Sequence, residues 1–531
     1  MTLLASVHGL GEAAEKLGVI AVALLTAVFV LGRAPYVSQR LRAWAVLLTL
    51  MATPVLLIID IWETSQLRHL RHHPLIAAGA AVFGLALVLA LALAVTRRPQ
   101  AFPLLAVLAL PFRLPISTGE SSSNLLIPLY VVIAAGALAY LAPRLAGTPR
   151  EEPPAVATER RSWLATLCSP TGLAWALMAS VVLYGLQASY SADFSKALEN
   201  MVFFYVPFAL LFGLLAQVRW TRELLLACLG VAVALAVIFA GVGFIEYYRK
   251  ALFLNPKVVA ANQYDNYFRV NSLFFDPSIY GRFLALVTLA LTTIVLWANR
   301  RREVLIGAAL LAWLMAGLIT SFSQSSIAAL LLGLAMLAAW RWDVRATIYT
   351  SLAVVAVAAV AVAVAPPSLH LGLSGKSGSA SNATNGRTKL ISGGLSLFAD
   401  RPLQGFGPGS FAQEYRSHRH ASSDNATSAS HTIPITVAAE QGLLGLIVYV
   451  ALLMAAFGVL FSGAGRSPPR LALATCFGAL VLHTFIYADF LEDPITWTLL
   501  GIGTALALRG AEPARGTERP QHDPVALLSE V

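Results

Sequence analysis

The sequence predicts an all-α integral membrane protein, and three observations lead to that fold class. Hydrophobic residues make up 58% of the 531 residues and charged residues only 12%, about half the charged fraction of an average soluble protein. The apolar residues form runs of about 20, the length that crosses about 30 Å of hydrocarbon as a helix. One long polar segment, 366–433, separates two blocks of such runs. We therefore expect a polytopic bundle of about 14–15 transmembrane helices with a large, partly helical extracytoplasmic loop.

Apolar runs locate the spanning helices along the chain. The run 101–116 contains Pro103 and Pro111, which weakens its helical pattern. The predicted spans are 17–32, 43–60, 75–95, 101–116, 125–142, 170–187, 199–217, 223–244, 279–298, 304–320, 326–340, 346–365, 434–461, 471–488 and 494–509.

Basic residues predict the orientation of these helices. Arginines cluster in alternate connections, for example at Arg97 and Arg98 and from Arg300 to Arg302, and the positive-inside rule places such connections in the cytoplasm. The N-terminus then lies outside, the tail lies inside, and the first helix is retained because no signal-peptide cleavage pattern follows it. These clusters account for the formal charge of +10, so we expect no nucleic-acid partner.

Two outer loops carry cations that the topology does not require. Loop 246–277 contains four Lys and Arg residues, and loop 366–433 contains six. An anionic ligand at the outer surface would account for them. The alternative is that long loops cross the membrane whatever their charge.

Composition divides the chain into five parts, with a Pro-, Glu- and Arg-rich linker after the first block. We expect the chemistry in the polar loop. The parts are N-terminal transmembrane helices of unknown role (1–160), further transmembrane helices with the outer loop 246–277 (161–365), the extracytoplasmic catalytic loop (366–433), C-terminal transmembrane helices (434–510) and a disordered cytoplasmic tail (511–531).

His431 is the sharpest catalytic candidate. It precedes an apolar helix in the stretch SHTIPITVAAEQGLLGL, and Pro434 lies in the first turn, where its missing N–H costs little. A histidine with an unperturbed pKa of about 6.5 suits a general base near neutral pH. Taken alone, such a histidine is more often a helix cap or a residue of a solvated loop.

Three segments resemble the superfamily of O-antigen ligases and O-antigen polymerases. Nine residues separate His431-Thr432 from Gly442-Leu-Leu-Gly445, as in that family's signature. Thr432 departs from the usual Asn, Ser or Gln but keeps a small polar side chain. Upstream, GRTKLISGGLSLFADRPLQGFGPGSF and FRVNSLFFDPSIYGRFLAL resemble the family's loop and its arginine-containing segment. The resemblance covers about 265–465.

The resemblance implies a GT-C-like glycosyltransferase in the bacterial cytoplasmic (inner) membrane. Such proteins move a glycan from an undecaprenyl-diphosphate carrier to an acceptor hydroxyl at the outer face, by a metal-independent inverting mechanism. Carried onto this chain, His431 is the base, and Arg387 and Arg269 hold the diphosphate. The expected partners are the carrier-linked glycan, an acceptor glycolipid or glycan, and membrane lipid, with no cofactor.

Physical chemistry favours the same use of arginine. A departing diphosphate gains negative charge in the transition state, and fixed guanidinium groups stabilise it without reorganising. The planar fork of arginine can bond two phosphate oxygens. Arg282 should lie about one turn inside the membrane and is a third candidate ligand. The alternatives are that Arg387 and Arg269 are solvated loop residues or residues at a helix N-terminus, and that Arg282 pairs with Asp276.

Two acidic residues are candidates for support of the acceptor. Glu440 lies too far along the helix to orient His431 directly, so we expect it to bond inside the bundle. Asp489 belongs to an outer acidic turn with Glu492 and Asp493, which can position a sugar acceptor or the histidine. The alternative for this turn is simple solvation.

Other site chemistries are not favoured. No histidine group has carboxylate or thiolate partners at the spacing of a metal site. The stretch Gly405-Phe-Gly407-Pro-Gly409 follows no predicted strand, so a tight turn that places Phe411 and Tyr415 near the bilayer is favoured over a nucleotide-binding loop.

Three further functions stay open. The spacing from His431 to Gly442 favours a ligase, but a polysaccharide polymerase of the same superfamily shares it. A lipid or polysaccharide transporter or flippase would place charges near mid-membrane and break helices in paired positions, whereas the apolar runs here are almost free of charge. A non-catalytic scaffold of an export complex is the remaining class.

Overall fold

The computed structural model describes residues 2–31, 37–60, 72–118, 121–147, 162–254, 268–342, 344–345, 379–419, 430 and 432–510. Within these residues the fold is an all-α bundle with one small β-hairpin, which confirms the predicted class. Twelve of the described helices are long and apolar enough to cross a membrane.

The described residues of the first half of the chain contain the hairpin and ten α-helices. Their bounds are α1 (Thr2–Leu31), α2 (Gln39–Asp60), α3 (Pro74–Arg97), α4 (Ala101–Ala109), β1 (Leu114–Thr118), β2 (Ser121–Leu125), α5 (Ile127–Leu145), α6 (Trp163–Leu167), α7 (Pro170–Ala188), α8 (Phe194–Asn200), α9 (Val206–Leu215) and α10 (Arg222–Arg249).

The second half contains the helices that surround the candidate site. Their bounds are α11 (Pro277–Leu296), α12 (Arg301–Thr320), α13 (Gln324–Arg341), α14 (Ser379–Asp400), α15 (Phe411–Arg419), α16 (Ile433–Phe461), α17 (Pro468–Ile486) and α18 (Pro494–Gly510).

The predicted span 101–116 is wrong. Helix α4 ends at Ala109 and is nine residues long, about 13 Å and too short to cross the membrane. Pro111 cannot continue the helix because it has no N–H to donate. The chain then enters the antiparallel hairpin, in which Leu114 pairs with Leu125. The predicted span 346–365 lies outside the described residues.

A π-turn at Met201–Tyr205 joins α8 to α9 into one continuous rod. Pro207 follows it and has no N–H for the carbonyl of Phe203, four residues earlier. That carbonyl instead accepts a hydrogen bond from the Tyr130 hydroxyl at 2.8 Å. The irregular turn is therefore tied to α5 and is not left unsatisfied inside the bundle.

Arginines mark one end of the bundle, where they donate to backbone carbonyls. Arg42 Nε bonds the Phe29 carbonyl in the last turn of α1 at 3.3 Å, and Arg509 Nη1 bonds the Trp220 carbonyl in the connection before α10 at 2.7 Å. The first contact satisfies a carbonyl left free at a helix end. We call the opposite end the loop end. It is formed by segments 187–194, 268–278, 320–326, 401–411, 430–436 and 487–495.

Helix packing explains why the loop end is held in one arrangement. Helix α7 packs against α1 and α16, and α17 packs against α11, α13 and α16. The buried side chains of Trp497, Tyr280 and Phe477 fill the interior between these helices. Helix α17 therefore lies at the centre of the C-terminal half.

Candidate active site at the loop end

Helix α16 begins at Ile433, two residues after His431, and is broken at Gly442, about two and a half turns further along. Gly442 has φ 65° and ψ −160°, a backbone conformation that essentially only glycine adopts. A Cβ at this position would lie 2.5 Å from the backbone of Leu403. The first glycine of the Gly-x-x-Gly motif is thus required both for the break and for the close approach of the loop.

The break frees backbone carbonyls that the glycine-rich loop satisfies. Phe406 N donates to the Ala439 carbonyl at 3.2 Å, and Gly407 N donates to the Glu440 carbonyl at 2.8 Å. Irregular backbone inside a membrane protein is tolerated where such groups find partners in the protein. The loop therefore replaces the helical hydrogen bonds that Gly442 interrupts.

The N–H groups beyond the break are satisfied by the same loop. Leu443 N donates to the Pro402 carbonyl at 2.7 Å, and Leu444 N donates to the Leu403 carbonyl at 3.4 Å. Segment 402–407 and α16 thus exchange hydrogen bonds on both sides of Gly442. We call this arrangement the loop–helix junction.

Positive φ angles at Gly405, Gly407 and Gly409 confirm the predicted tight turn. A Cβ on Gly407 would lie 2.3 Å from the Cα of Ser191, so the turn presses against the segment after α7. Ser191 Oγ donates to the Pro408 carbonyl at 2.7 Å. The loop is therefore held between α16 and the α7–α8 connection.

Two aromatic side chains follow the turn and anchor α15. The rings of Phe411 and Tyr415 stack with centroids 5.9 Å apart, and both side chains are buried. They lie against Gly393 and Gly394 of α14, where a Cβ would collide with them. The two loop helices thus form a small apolar core of their own on α16.

Glu440 was expected to bond inside the bundle, and its hydrogen bond joins it to the first residue of the loop helix α15. Its side chain is buried, and Oε1 accepts a hydrogen bond from Phe411 N at 3.1 Å. The N-terminal end of α15 carries a partial positive charge, which stabilises an acidic side chain placed at its first N–H groups. This geometry gives Glu440 a role in holding the loop.

Hydrogen bonds fix the entrance of α16 on either side of the predicted base. Buried Ser430 accepts from Thr432 N at 3.2 Å and donates to the Thr432 carbonyl at 2.8 Å. Ser430 N donates to Thr436 Oγ1 at 3.1 Å. His431 itself lies outside the described residues, so its assignment remains a prediction.

Arg387 lies in α14, whose later turns pack against the start of α16. A Cβ on Gly394 would lie 2.5 Å from Ile435 Cγ2, so the α14 backbone touches the first turn of α16. The structure describes the backbone of Arg387 and not its side chain. Its role as a diphosphate ligand remains a prediction.

Arg269 is half-buried and held against the end of α12. Its Nε donates to the Ser321 carbonyl at 3.3 Å, and the next residue, Val270, donates its N–H to the Thr320 carbonyl at 3.2 Å. The segment that enters α11 is therefore fastened to α12, and Arg269 lies at the loop end, where the sequence places it.

Arg282 lies one turn into α11 and is 1% exposed. It does not pair with Asp276, which instead caps α11 through Ser278 N at 2.6 Å. Its Nη2 lies 3.0 Å from Asp493 Oδ2, an ion pair that is not aligned as a hydrogen bond. Among the described residues, Nε and Nη1 have no hydrogen-bond partner. A buried charge that keeps free donors is an expensive arrangement unless it binds something.

The acidic turn after α17 lies beside Arg282. Asp489 has φ 72°, a left-handed conformation that is uncommon outside glycine. Burial raises the pKa of Asp489, and the guanidinium groups of Arg282 and Arg113 partly offset that rise. Burial, together with the charge of Asp489, raises the pKa of Glu492 to about 7. Asp493 is buried, and Asp489 and Glu492 are half-buried. The turn is therefore partly enclosed by the protein.

Sequence reasoning missed two parts of the loop end. His483 is buried in α17 and contacts the serine-rich segment 321–326. Arg113, between α4 and β1, lies near Asp489 and Glu492. The signal for His483 was available, because a histidine inside an apolar span is a functional candidate by default. Nothing in the sequence indicates that Arg113 returns to the acidic turn.

Comparison with known families confirms the predicted resemblance. The sequence model of the O-antigen ligase family matches residues 309–450, which run from α12 through the loop helices and past the break in α16. The matched region contains Arg387 and Glu440, and Arg269, Arg282 and Asp489 lie outside it. A comparison with curated proteins finds no matching sequence.

Proposed function

We propose that this protein, which carries the O-antigen ligase domain over residues 309–450, transfers a glycan from undecaprenyl diphosphate to an acceptor hydroxyl. The reaction takes place at the outer face of the bacterial cytoplasmic membrane. The observation that carries the proposal is the buried guanidinium of Arg282, whose Nε and Nη1 have no partner among the described residues.

The arginines at the loop end suit the diphosphate of the carrier. Arg269 and Arg282 lie on the segment that enters α11 and on its first turns, and Arg387 lies on α14 above the start of α16. Each guanidinium can donate two parallel hydrogen bonds to phosphate oxygens. In the proposed reaction these groups stabilise the charge that the leaving diphosphate acquires, so its departure needs no metal ion.

His431 acts as the general base of the transfer. It takes the proton of the acceptor hydroxyl, whose oxygen forms a bond to the anomeric carbon of the donor sugar. The bond from that carbon to the diphosphate oxygen breaks, and the diphosphate leaves with the electron pair. Attack from the face opposite to the leaving group inverts the anomeric configuration.

Asp489 and Glu440 support the reaction in different ways. Asp489 lies in the enclosed turn beside Arg282 and is proposed to accept a hydrogen bond from the acceptor sugar. Glu440 contacts Phe411 N and is proposed to keep the loop in place. Neither takes part in bond making.

The polyprenyl chain needs an apolar surface that begins near the diphosphate. Helix α16 exposes Leu444 and Ile447 to 52% and 55% just beyond the break. Such a face is suited to lie against lipid. We place the carrier along this side of α16, with its charged end at the loop–helix junction.

The break in α16 at Gly442 also argues against a transporter. Transporter helices break where their freed backbone groups face a substrate or ion, whereas the carbonyls of Ala439 and Glu440 are occupied by the loop. The break serves attachment of the loop and does not line a pathway.

Product analysis with the purified protein tests the proposal and distinguishes a ligase from a polymerase. The substrate is an undecaprenyl-diphosphate-linked oligosaccharide, with and without a separate acceptor glycolipid. One transfer that depends on the added acceptor identifies a ligase. A ladder of longer glycans still on the carrier identifies a polymerase. If no undecaprenyl diphosphate is released with any acceptor glycan, the proposed transfer is contradicted.

A further inference from the structure

A buried histidine and a run of serines connect the segments that carry two of the arginines. We call residues 321–326 the serine turn, which joins α12 to α13. His483, in the last turn of α17, is 0% exposed. Its Nε2 lies 3.2 Å from Ser325 Oγ and 3.2 Å from Ser326 Oγ. These side chains belong to different helices, so the contact fixes α17 against the start of α13.

The serine turn is hydrogen-bonded along its own length. Ser323 Oγ lies 2.8 Å from Ser326 Oγ and 3.2 Å from Ser325 Oγ, and Ser323 N donates to Ser321 Oγ at 3.2 Å. A linked hydroxyl network of this kind is rigid when all its members are satisfied. The position of the Ser321 carbonyl is therefore coupled to His483 through three serines.

One end of this network holds Arg269. The Ser321 carbonyl accepts the hydrogen bond from Arg269 Nε at 3.3 Å. This contact uses one donor of the guanidinium and sets the direction of the whole group. A shift of the serine turn would therefore rotate Arg269.

The other end of the network holds the first turn of α11, which carries Arg282. Ser326 Oγ donates to the Ser278 carbonyl at 3.2 Å, and His483 lies beside the same carbonyl. Gly281 allows this approach, since a Cβ there would lie 2.8 Å from Ser326 Oγ. The start of α11 is therefore docked on the serine turn at the residue next to Arg282.

We propose that His483 is a positioning residue that, through Ser325 and Ser326, sets Arg269 and Arg282 in register for two phosphate groups. The inference rests on the proposed function, because it assigns both arginines to the diphosphate. His483 does not touch the substrate in this account. It acts because a buried hydroxyl pair that loses its partner must rearrange to satisfy its hydrogen bonds.

Binding of polyprenyl phosphates to the full-length protein tests the inference. The probes are undecaprenyl diphosphate and undecaprenyl monophosphate in the same detergent, and the readout is the ratio of their dissociation constants. The variants are His483→Leu, which removes the imidazole nitrogens, and His483→Gln, whose amide group can replace Nε2 towards the serines. Thr475→Val is the matched control, since Thr475 is buried in the same helix and bonds only within it.

We expect the wild type to prefer the diphosphate by roughly tenfold or more, since the second phosphate gains charge-assisted hydrogen bonds. His483→Leu should lose most of this preference, whereas His483→Gln and Thr475→Val should keep it. A purely structural role of His483 would instead weaken both ligands equally and lower the melting temperature.

This experiment distinguishes failure of the proposed function from failure of the role assigned to His483. A wild type without preference for the diphosphate would overturn the proposed function itself. A wild type with the preference and a His483→Leu variant that retains it would overturn the role of His483 alone. If His483→Leu does not fold, Ser326→Ala is the smaller change, because it removes one of the two serine contacts of His483 together with the hydrogen bond to the Ser278 carbonyl. Retention of the preference in that variant would also overturn the inference.

Discussion

Arg282 illustrates how a single residue defines the site. It is 1% exposed and its ion-pair partner Asp493 is 2% exposed. Removing two charges from water costs several kcal/mol per ion unless geometry and further hydrogen bonds are good, and here Nε and Nη1 lack partners among the described residues. A ligand with phosphate oxygens would supply those partners. In the proposed function, binding of the diphosphate accounts for this cost to stability.

Arginine at position 387 should not be replaceable by lysine. Lysine keeps the charge but presents a point charge in place of a planar fork. We expect Arg387→Lys to lower the rate of glycan transfer by roughly tenfold, less than the loss seen when a transition-state donor is removed entirely. Initial rates with saturating donor measure the effect.

Arg416→Lys is the matched control for this change, because Arg416 is exposed in α15 of the same loop. It should keep the wild-type rate. Equal rates for Arg387→Lys and the wild type would show that Arg387 is a solvated residue without a role in binding the diphosphate.

Glu492 should make stability depend on pH near neutrality. Burial raises its pKa to about 7, above the value of about 4.3 for an unperturbed glutamate. The folded state therefore holds the proton more tightly than the unfolded state. This contribution to stability is fully present below the unfolded pKa and is lost as pH rises through about 7.

Thermal unfolding of the wild type and of Glu492→Gln between about pH 5 and pH 8 checks this sign. The melting temperature of the wild type should fall as pH rises, and the fall should be smaller in the variant. Asp489, whose pKa is also raised, accounts for a residual slope. The exposed Glu303, changed to Gln, should leave the wild-type slope intact, and an unchanged slope in Glu492→Gln would refute the assignment.

Individual residues were predictable where a local pattern exists. The distance from His431 to Gly442 and the arginines of the outer loops can be read from the chain. The pairing of Arg282 with Asp493 could not be predicted, because the partners are far apart in sequence and only the packing of α11, α17 and α18 brings them together. His483 itself could have been singled out as a histidine inside an apolar span, but its contacts with the serines at the start of α13 could not be predicted.

At the scale of elements, the loop–helix junction is the feature that shapes the site. A helix broken at Gly442 would expose free carbonyls in an apolar environment, at a cost of several kcal/mol for each group. The loop supplies the N–H groups of Phe406 and Gly407 in their place. The same segment holds α15 through Glu440. One exchange of hydrogen bonds thus couples the loop to the transmembrane bundle.

Gly442→Ala should destabilise this junction strongly. The φ of 65° with ψ of −160° is costly for any residue with a Cβ, by about 1–3 kcal/mol, and the added carbon meets the Leu403 backbone at 2.5 Å. We expect a lower melting temperature and at least a tenfold loss of activity. A tenfold loss corresponds to an increase of about 1.4 kcal/mol in the activation free energy. Limited proteolysis should also cut the loop faster.

Gly230→Ala provides the contrast, because Gly230 lies in the regular helix α10 with nothing within 4 Å of an added Cβ. Alanine is the better helix former there, so stability should be unchanged or slightly raised. If Gly442→Ala behaved like Gly230→Ala, the break in α16 would not be required.

Elements were predictable in proportion to their length and apolarity. The long runs became α1 to α3, α10 and α16 because a run of about 20 apolar residues has few alternatives to a helix. The stretch 101–116 has the same composition but contains Pro111, and it folds as a short helix followed by a hairpin. The break at Gly442 could not be predicted, since the same glycine fits an unbroken helix.

At the scale of the whole molecule, the two ends of the bundle differ in what their arginines contact. At one end Arg42 and Arg509 donate to the backbone carbonyls of Phe29 and Trp220, and the positive-inside rule predicts that this end is cytoplasmic. At the loop end, Arg269 and Arg282 are held towards the interior. The asymmetry predicts that the loop end faces the outside.

Labelling of single cysteines tests this orientation. In a chain without Cys168, Cys228 and Cys476, Ser417→Cys at the loop end should react with a membrane-impermeant maleimide in intact spheroplasts. Asn299→Cys, at the exposed turn between α11 and α12, should react only after permeabilisation. The reverse pattern would place the site in the cytoplasm and remove the expected access to a translocated, carrier-linked glycan.

The fold class was predictable from composition alone, because hydrophobic runs and few charges leave a helical bundle as the structure that fits a bilayer. The way in which distant segments meet at the loop end was not. It depends on contacts of α17 with α11, α13 and α16, and a single sequence contains no local signal for such contacts.

The most direct test of the account is the rate of glycan transfer by His431→Ala. The assay uses purified protein, an undecaprenyl-diphosphate-linked oligosaccharide and the acceptor that the product analysis identifies, with the melting temperature measured alongside. Loss of a general base predicts a roughly 10²–10⁴-fold lower rate, with an unchanged melting temperature and an unchanged affinity for undecaprenyl diphosphate. A folded His431→Ala variant that transfers glycan at the wild-type rate would contradict the account.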